Sequence, residues 1–155
     1  MRTVPALKQV IGDALTVPPL TYTVNDGAPV TLPDANVFGS APVDVANPPD
    51  PLVSFTVGSR GSKSLELSSR ELEIKVSVSS AAPNGDDIVD ELYEAIRARL
   101  VSPDGGGRHP LSRAATATTL PIAIATIRET SALPPMFEDR SSRWYVTATF
   151  LCIAT

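Results

Sequence analysis

The stretch from Glu71 to Leu100 constrains the fold most, because a strand pattern is followed at once by a helix pattern. Over Glu71–Ser79 every second residue is apolar, which is the period of a strand with one buried face. Pro83–Asp86 are turn residues that end the strand and begin a helix. The apolar residues are Leu72, Ile74, Val76 and Val78 in the strand, and Ile88, Val89, Leu92, Ile96 and Leu100 in the helix. An amphipathic helix after a half-buried strand predicts a helix layer on a sheet layer.

Charged residues lie at both ends of the predicted helix. Its first turns contain Asp86, Asp87, Asp90 and Glu91, and its last turn contains Arg97 and Arg99. This is the arrangement that the helix dipole favours. We therefore interpret the acidic group as a helix start rather than as a metal site.

The remaining elements are predicted from apolar periodicity and from turn residues. In chain order they are a helix at Thr3–Leu15, a small hairpin of Thr21–Val24 with Val30–Leu32, an extended piece at Asn36–Phe38, and strands at Leu52–Val57, Leu120–Arg128 and Ser142–Ile153. Proline or glycine predicts loops at Asp34–Pro51, Ser102–Pro110 and Thr130–Arg140. Gly58–Arg70 is either a hairpin tip or a flexible arm, and Leu65 and Leu67 would extend the hairpin across it.

The last predicted strand, Ser142–Ile153, has apolar residues on both faces. One face contains Trp144, Val146, Ala148, Phe150 and Cys152, and the other contains Tyr145, Thr147, Thr149, Leu151 and Ile153. Such a strand is expected to be central in the sheet, or to be covered on its second face by a partner.

Composition restricts the class of protein. The chain has 155 residues, 43% of them hydrophobic, which fits one domain over 1–155 with a substantial core. A net charge of −4 argues against a general nucleic-acid binder. Met1–Thr3 does not begin a signal peptide and no apolar run is long enough for a membrane, so we expect a protein made in the cytoplasm, without a membrane partner.

The residues usual in catalysis and metal binding are sparse. The chain has one cysteine, Cys152, and one histidine, His109, in unrelated segments. Cys152 is expected to be a buried apolar residue, and His109 to be exposed in its glycine-proline loop. The Gly105–Gly107 triplet follows a helix and has no adjacent lysine, unlike a phosphate-binding loop. We predict no catalytic residue, no metal ligand and no cofactor.

Basic residues form one group of candidate interaction sites. Arg97, Arg99, Arg108, His109 and Arg113 form a local basic group, interrupted only by Asp104. The group is either a solvated surface or a contact with an acidic subunit or with DNA phosphates. The candidate interaction residues, including those of the possible arm, are Arg60, Lys63, Arg70, Arg97, Arg99, Arg108 and Arg113.

The order of elements resembles the tail-terminator, or tail-completion, proteins of long-tailed bacteriophages. An N-terminal helix is followed by a proline-interrupted stretch, a strand at Pro51–Val57, a long polar hairpin, the alternating strand, the helix Ile88–Leu100 and an aromatic C-terminal strand, Arg143–Phe150. The extended Val17–Pro51 region departs from the family pattern and suggests an insertion.

The resemblance implies an α+β fold, with two helices packed on one face of a mostly antiparallel sheet, long proline-rich loops and an extended hairpin arm. It also implies a non-enzymatic virion protein, located in the tail or neck. As a homohexameric ring it would cap the tail tube, end tube polymerisation and join the tail to the head connector or stopper protein. DNA would pass through the lumen without specific binding.

Three alternatives remain open from the sequence. One is another neck or head–tail joining protein. The second is a small-ligand or glycan-binding module with Trp144, Tyr145, Tyr22 or Tyr93 in an exposed cleft. The third is an enzyme, which would need His109 or the acidic residues at the helix start to be catalytic.

Overall fold

A computed structural model of the chain describes residues 3–39, 49–58, 68–101 and 109–154. Its elements are α1 (Thr3–Thr16), β1 (Thr21–Tyr22), β2 (Val30–Thr31), a 3-10 turn (Asp34–Asn36), β3 (Val37–Phe38), β4 (Leu52–Val57), β5 (Ser68–Ser79), α2 (Gly85–Leu100), β6 (Ile124–Ala132), β7 (Met136–Glu138) and β8 (Arg143–Ala154). The predicted arm tip and the glycine triplet lie outside the described residues.

Six strands form one sheet in the order β3-β4-β5-β8-β6, and β7 also pairs with β8. Every pair is antiparallel except β3 with β4, which is parallel. With two helices and a mostly antiparallel sheet, the fold is α+β, as predicted. The predicted central position of the last strand is also confirmed, because β8 pairs with β5 along one edge and with β6 and β7 along the other.

The core lies between one face of the sheet and the two helices. The core extends across neighbouring strands through paired residues. Phe55, Ile74 and Ala148 are cross-strand partners on β4, β5 and β8, and all three side chains are buried. A β-carbon placed on Gly12 of α1 would lie 3.7 Å from Phe55 Cζ, and one on Gly85 of α2 would lie 3.1 Å from Val78 Cγ1. Phe55 and Val78 belong to this same face, so both helices pack on it.

Two predicted helices, the small β1–β2 hairpin and the β4 strand are confirmed with small shifts in their ends. Asn36 is an exception, because it belongs to a 3-10 turn rather than to an extended piece. Its buried amide donates to the Pro51 carbonyl at 2.8 Å. That bond satisfies a polar group that would be costly to bury alone, and the extended segment begins at Val37.

The prediction of a loop over Thr130–Arg140 is wrong. Strand β6 begins at Ile124 and continues to Ala132, and β7 follows at Met136. The amide of Leu133 between them still donates to the Thr147 carbonyl at 3.3 Å. Because β8 is twelve residues long, its backbone groups need partners along this edge. Pro134 and Pro135 only interrupt the pairing strand.

Candidate functional site: the open face and outer edge of the sheet

One face of the sheet has no described helix packed on it and is a candidate contact surface. We call it the open face and define it by side chains that point away from the helices. These are Glu71, Glu73, Lys75 and Ser77 on β5, Tyr145, Thr147, Thr149, Leu151 and Ile153 on β8, and Thr126, Arg128 and Ser131 on β6. The β8 residues of this set are all half-buried, whereas their neighbours on the core face from Val146 onward are fully buried.

Strand alternation places these residues. Successive side chains of β8 point to opposite faces, so the pattern of half-buried and buried residues repeats every two positions from Tyr145 to Ala154. Polar residues on β5 follow the same alternation, and each faces a β8 partner in register. The open face therefore combines threonine and aliphatic side chains at its centre with charged side chains around them.

One end of the open face is held by local contacts. The ammonium of Lys75 lies 4.9 Å from the centre of the Tyr145 ring, a cation–π distance. On the same side Arg143 Nε donates to Ser77 Oγ at 3.2 Å, and Arg143 Nη2 lies 2.6 Å from Asp50 Oδ1. These contacts fix the Arg143 side chain within its own chain.

The outer edge, formed by β6 and β7, contains exposed apolar side chains. Leu133, Met136 and Phe137 are 54%, 43% and 43% exposed, and all three lie within five consecutive positions. Phe137 packs edge-on against Trp144, with ring centres 5.4 Å apart. Among the described strands none pairs with the other side of this edge. At the start of β6 a loop contacts this side instead, because the Ile124 carbonyl accepts from the His109 N–H at 3.1 Å and the Ile124 N–H donates to Ser112 Oγ at 2.8 Å.

The described arginines of the predicted basic group contact different parts of their own chain. Arg97 Nε pairs with Glu129 Oε2 at 3.1 Å, and Arg113 Nη1 pairs with Asp13 Oδ2 at 2.6 Å. Arg99 donates to the carbonyls of Ala14, Pro18 and Pro19, which fastens the end of α1 to α2.

Arg70 is buried at 8% exposure near the start of β5, and the strand register places it opposite Cys152 on the core face. Arg60, Lys63 and Arg108 lie outside the described residues. The interaction role of these seven basic residues stays a prediction.

His109 is buried, at 4% exposure, so the prediction of an exposed loop histidine is wrong. Its Nδ1 accepts the Leu111 N–H at 3.1 Å, and its Nε2 lies 2.9 Å from the Leu100 carbonyl. Since Nδ1 is an acceptor, Nε2 carries the proton and donates to Leu100. Burial lowers the pKa of this imidazole. His109 thus satisfies a carbonyl at the end of α2 that the helix leaves unpaired.

The acidic residues at the start of α2 contact the β1–β2 hairpin. Glu91 accepts from the backbone N–H of Thr23 at 3.1 Å and from Thr23 Oγ1 at 2.9 Å. Asn84 also donates to the Asn25 side chain. These bonds give Glu91 a structural role, in addition to the helix-dipole effect that the sequence suggested.

Two other groups are fixed within the core. Burial raises the pKa of the Cys152 thiol to about 12, so the thiol is neutral near pH 7, which favours the predicted buried role over a reactive one. Tyr93 is also buried and donates its phenolic proton to Glu129. Burial, followed by this hydrogen bond, raises the pKa of Tyr93.

The aromatic residues that would line a ligand cleft lie apart. Trp144 and Tyr145 are neighbours on β8 and therefore point to opposite faces of the sheet, while Tyr93 is a buried residue of α2. A small cleft beside the start of α2 is lined by Thr23, Asn25, Asp26, Asn84, Asp87 and Glu91, with no aromatic side chain among them.

Sequence reasoning identified the apolar character of the last strand but missed the exposed edge. Leu133, Met136 and Phe137 fall in a segment with two prolines, which indicated a loop. A short apolar run immediately before a turn was the available signal for β7. The exposure of these side chains depends on the order of strands in the sheet, and the local sequence of β7 carries no information on that order.

No group of three or more histidine, cysteine, aspartate or glutamate residues suited to a metal lies within the described ranges. In the same ranges no helix is long and apolar enough to cross a membrane. No model of a known protein family matches the chain, and a search of curated proteins finds no match. The structure is an α+β domain whose sheet has one face without a described helix and, at β6 and β7, an edge without a further described strand.

Proposed function

We propose that this protein is a structural virion protein of the tail-terminator type. As a homohexameric ring it caps the phage tail tube, ends tube polymerisation and joins the tail to the head connector. It acts by binding and steric blocking, without catalysis. DNA passes through the ring without specific binding, and the assembled protein resides in the tail or neck of the virion.

The observation that carries this proposal is the edge formed by β6 and β7. Both helices lie on the opposite side from the open face. The edge has no further described strand on its outer side, and it exposes the side chains of Leu133, Met136 and Phe137. A ring subunit needs surfaces of this kind, because a head-to-tail contact joins two different patches of neighbouring copies. The order of helix, long strands, helix and final strands is the second support.

The assembly step is tested by electron microscopy of the purified protein, alone and mixed with tail tubes assembled from the tube protein of the same phage. We expect rings on one end of each tube and no further growth when tube subunits are added. Tubes that remain uncapped and continue to grow would refute the proposal.

The edge is tested by Leu133→Asp, with Val17→Asp as the matched control. Both native residues are exposed, Val17 at 72%, so neither change should disturb the core. Leu133→Asp is expected to abolish rings and caps because it places a charge in the proposed contact. Val17→Asp is expected to leave them intact. Equal effects of the two variants would contradict the assignment of the edge.

A further inference from the structure

We propose that the open face is a self-association surface, on which a second copy of this chain packs around a two-fold axis parallel to β8. This inference concerns a different surface from the edge contact above and does not depend on the tail-terminator proposal. It rests on the order of charges across three paired strands.

The register of the sheet aligns an acid, an apolar residue and a base in one row. Leu151 of β8 is paired with Glu71 of β5 on one side and with Arg128 of β6 on the other. Direct cross-strand partners share a face, so all three side chains belong to the open face. Strands lie about 4.8 Å apart, and Glu71 and Arg128 are therefore separated by about 10 Å, with Leu151 between them.

Both charged side chains are available for a partner. Glu71 and Arg128 are exposed, and within the part of the chain that the structure describes neither forms an ion pair. Leu151 is half-buried. The row thus consists of two free charges of opposite sign on either side of an apolar centre.

A two-fold axis parallel to β8 makes this row complementary to itself. The rotation turns the open face of the second copy towards that of the first. It reverses the left-to-right order of β5, β8 and β6, but it leaves each residue at the same height along the strand direction. Glu71 of each copy then faces Arg128 of the other, and the two Leu151 side chains meet on the axis. One rotation forms two equivalent ion pairs, as an isologous interface requires.

The neighbouring rows fit the same arrangement. Ile153 is flanked by Ser69 and Thr126, and Thr149 by Glu73 and Ser131. Small polar and aliphatic side chains at the centre suit two sheets about 10 Å apart. At the far end of β8 the Arg143 side chain is already paired with Asp50 of its own chain, with Nη2 at 2.6 Å from Oδ1.

The charge pattern selects a second copy over a nucleic acid. A polyanion needs a surface of one sign, whereas this row has one acid and one base in lateral order. Only a partner with the reversed order matches it, and the two-fold image of the chain has that order.

The test measures self-association of the full chain by sedimentation over a range of protein concentrations. Glu71→Arg and Arg128→Glu each replace two attractions with two repulsions, and each is expected to weaken dimerisation by about tenfold. The double variant, Glu71→Arg with Arg128→Glu, restores the pairing in reverse and is expected to recover the native dissociation constant to within about threefold. Raising the salt concentration should weaken the native dimer.

Matched controls are Glu94→Arg on α2 and Lys8→Glu on α1, because both residues are exposed and belong to the helix layer. They are expected to leave association unchanged. A monomer at all concentrations, single reversals without effect, or a double variant as weak as the singles would each overturn the inference. A hexamer that does not respond to these reversals would overturn the two-fold contact and leave the ring proposal standing.

Discussion

The indole of Trp144 lies so close to the backbone of Gly85 that a side chain has no room between them. A β-carbon at Gly85 would lie 2.7 Å from Trp144 Cδ1 and 3.1 Å from Val78 Cγ1. Gly85 is the first residue of α2, and the contact sets the distance between the start of this helix and the sheet. The absence of a side chain, rather than glycine's backbone freedom, is what this position requires.

Gly85→Ala is expected to lower the free energy of unfolding by about 1–3 kcal/mol, because the added methyl group must displace the indole or the helix. Urea unfolding monitored by tryptophan fluorescence measures this loss, since Trp144 is the only tryptophan. Gly12→Ala is the matched control. Its β-carbon would meet Phe55 at an ordinary 3.7 Å, and alanine favours the helix by about 1 kcal/mol. A gain in stability for Gly85→Ala, or a large loss of stability for Gly12→Ala, would contradict the packing described.

Arg99→Ala is expected to destabilise the protein by about 1–3 kcal/mol, because the carbonyls of Ala14, Pro18 and Pro19 lose their donor. Arg99→Lys should not restore the stability, since one ammonium does not reproduce the spread of the guanidinium donors. Arg97→Ala is the control, with an expected loss of about 0–1 kcal/mol for an exposed pair. Chemical unfolding measures both losses of stability. Equal losses for Arg99→Ala and Arg97→Ala would refute the larger structural role given to Arg99.

Stability is expected to fall as the pH decreases below 6.5, because His109 is buried in its neutral form. The folded pKa of His109 is lowered, so the unfolded chain binds the proton first. The loss begins at the unfolded pKa near 6.5, proceeds at up to about 1.4 kcal/mol per pH unit and ends at the folded pKa. Protonated Nδ1 would also face the Leu111 N–H, so two donors would meet.

His109→Gln serves as the control for this pH dependence, since glutamine keeps an N–H donor and does not titrate. The chain has a single histidine, so the difference between native and variant unfolding curves from pH 8 to pH 5 isolates its contribution. Identical slopes in the two proteins would mean that the buried imidazole does not carry the effect.

At alkaline pH the relevant group is Tyr93. Its folded pKa is raised by burial and by the bond to Glu129, so above pH 10 the unfolded chain loses its proton first and stability decreases. Tyr93→Phe removes the hydrogen bond and is expected to lower the free energy of unfolding by about 1–3 kcal/mol near pH 7. Above pH 10 the stability of this variant should decrease less than that of the native protein. Unfolding at pH 8 and pH 11 measures both effects, and an unchanged alkaline decrease in the variant would contradict the assignment.

Local sequence determined most of the helices and strands. It also determined which face of each main strand is apolar and which is polar. The alternation from Leu72 to Val78 and the helical spacing from Ile88 to Leu100 are properties of neighbouring residues, and burial of one face follows from them. The same logic identified β8 as a strand with two apolar faces. Periodicity alone therefore predicted a helix layer on a sheet layer, and the resemblance added the α+β class.

Tertiary structure alone decided which residues lie next to one another and how deeply each is buried. His109 occupies a glycine-proline loop, yet it is buried because the end of α2 lies within reach of its imidazole. Met136 and Phe137 form a strand because β8 extends past β6 and leaves backbone groups to pair. Glu71 and Arg128 are 57 positions apart, and only the order of the strands brings them into one row. Local periodicity specifies which face of each strand is apolar, but it contains no information on which strands become neighbours or in what register.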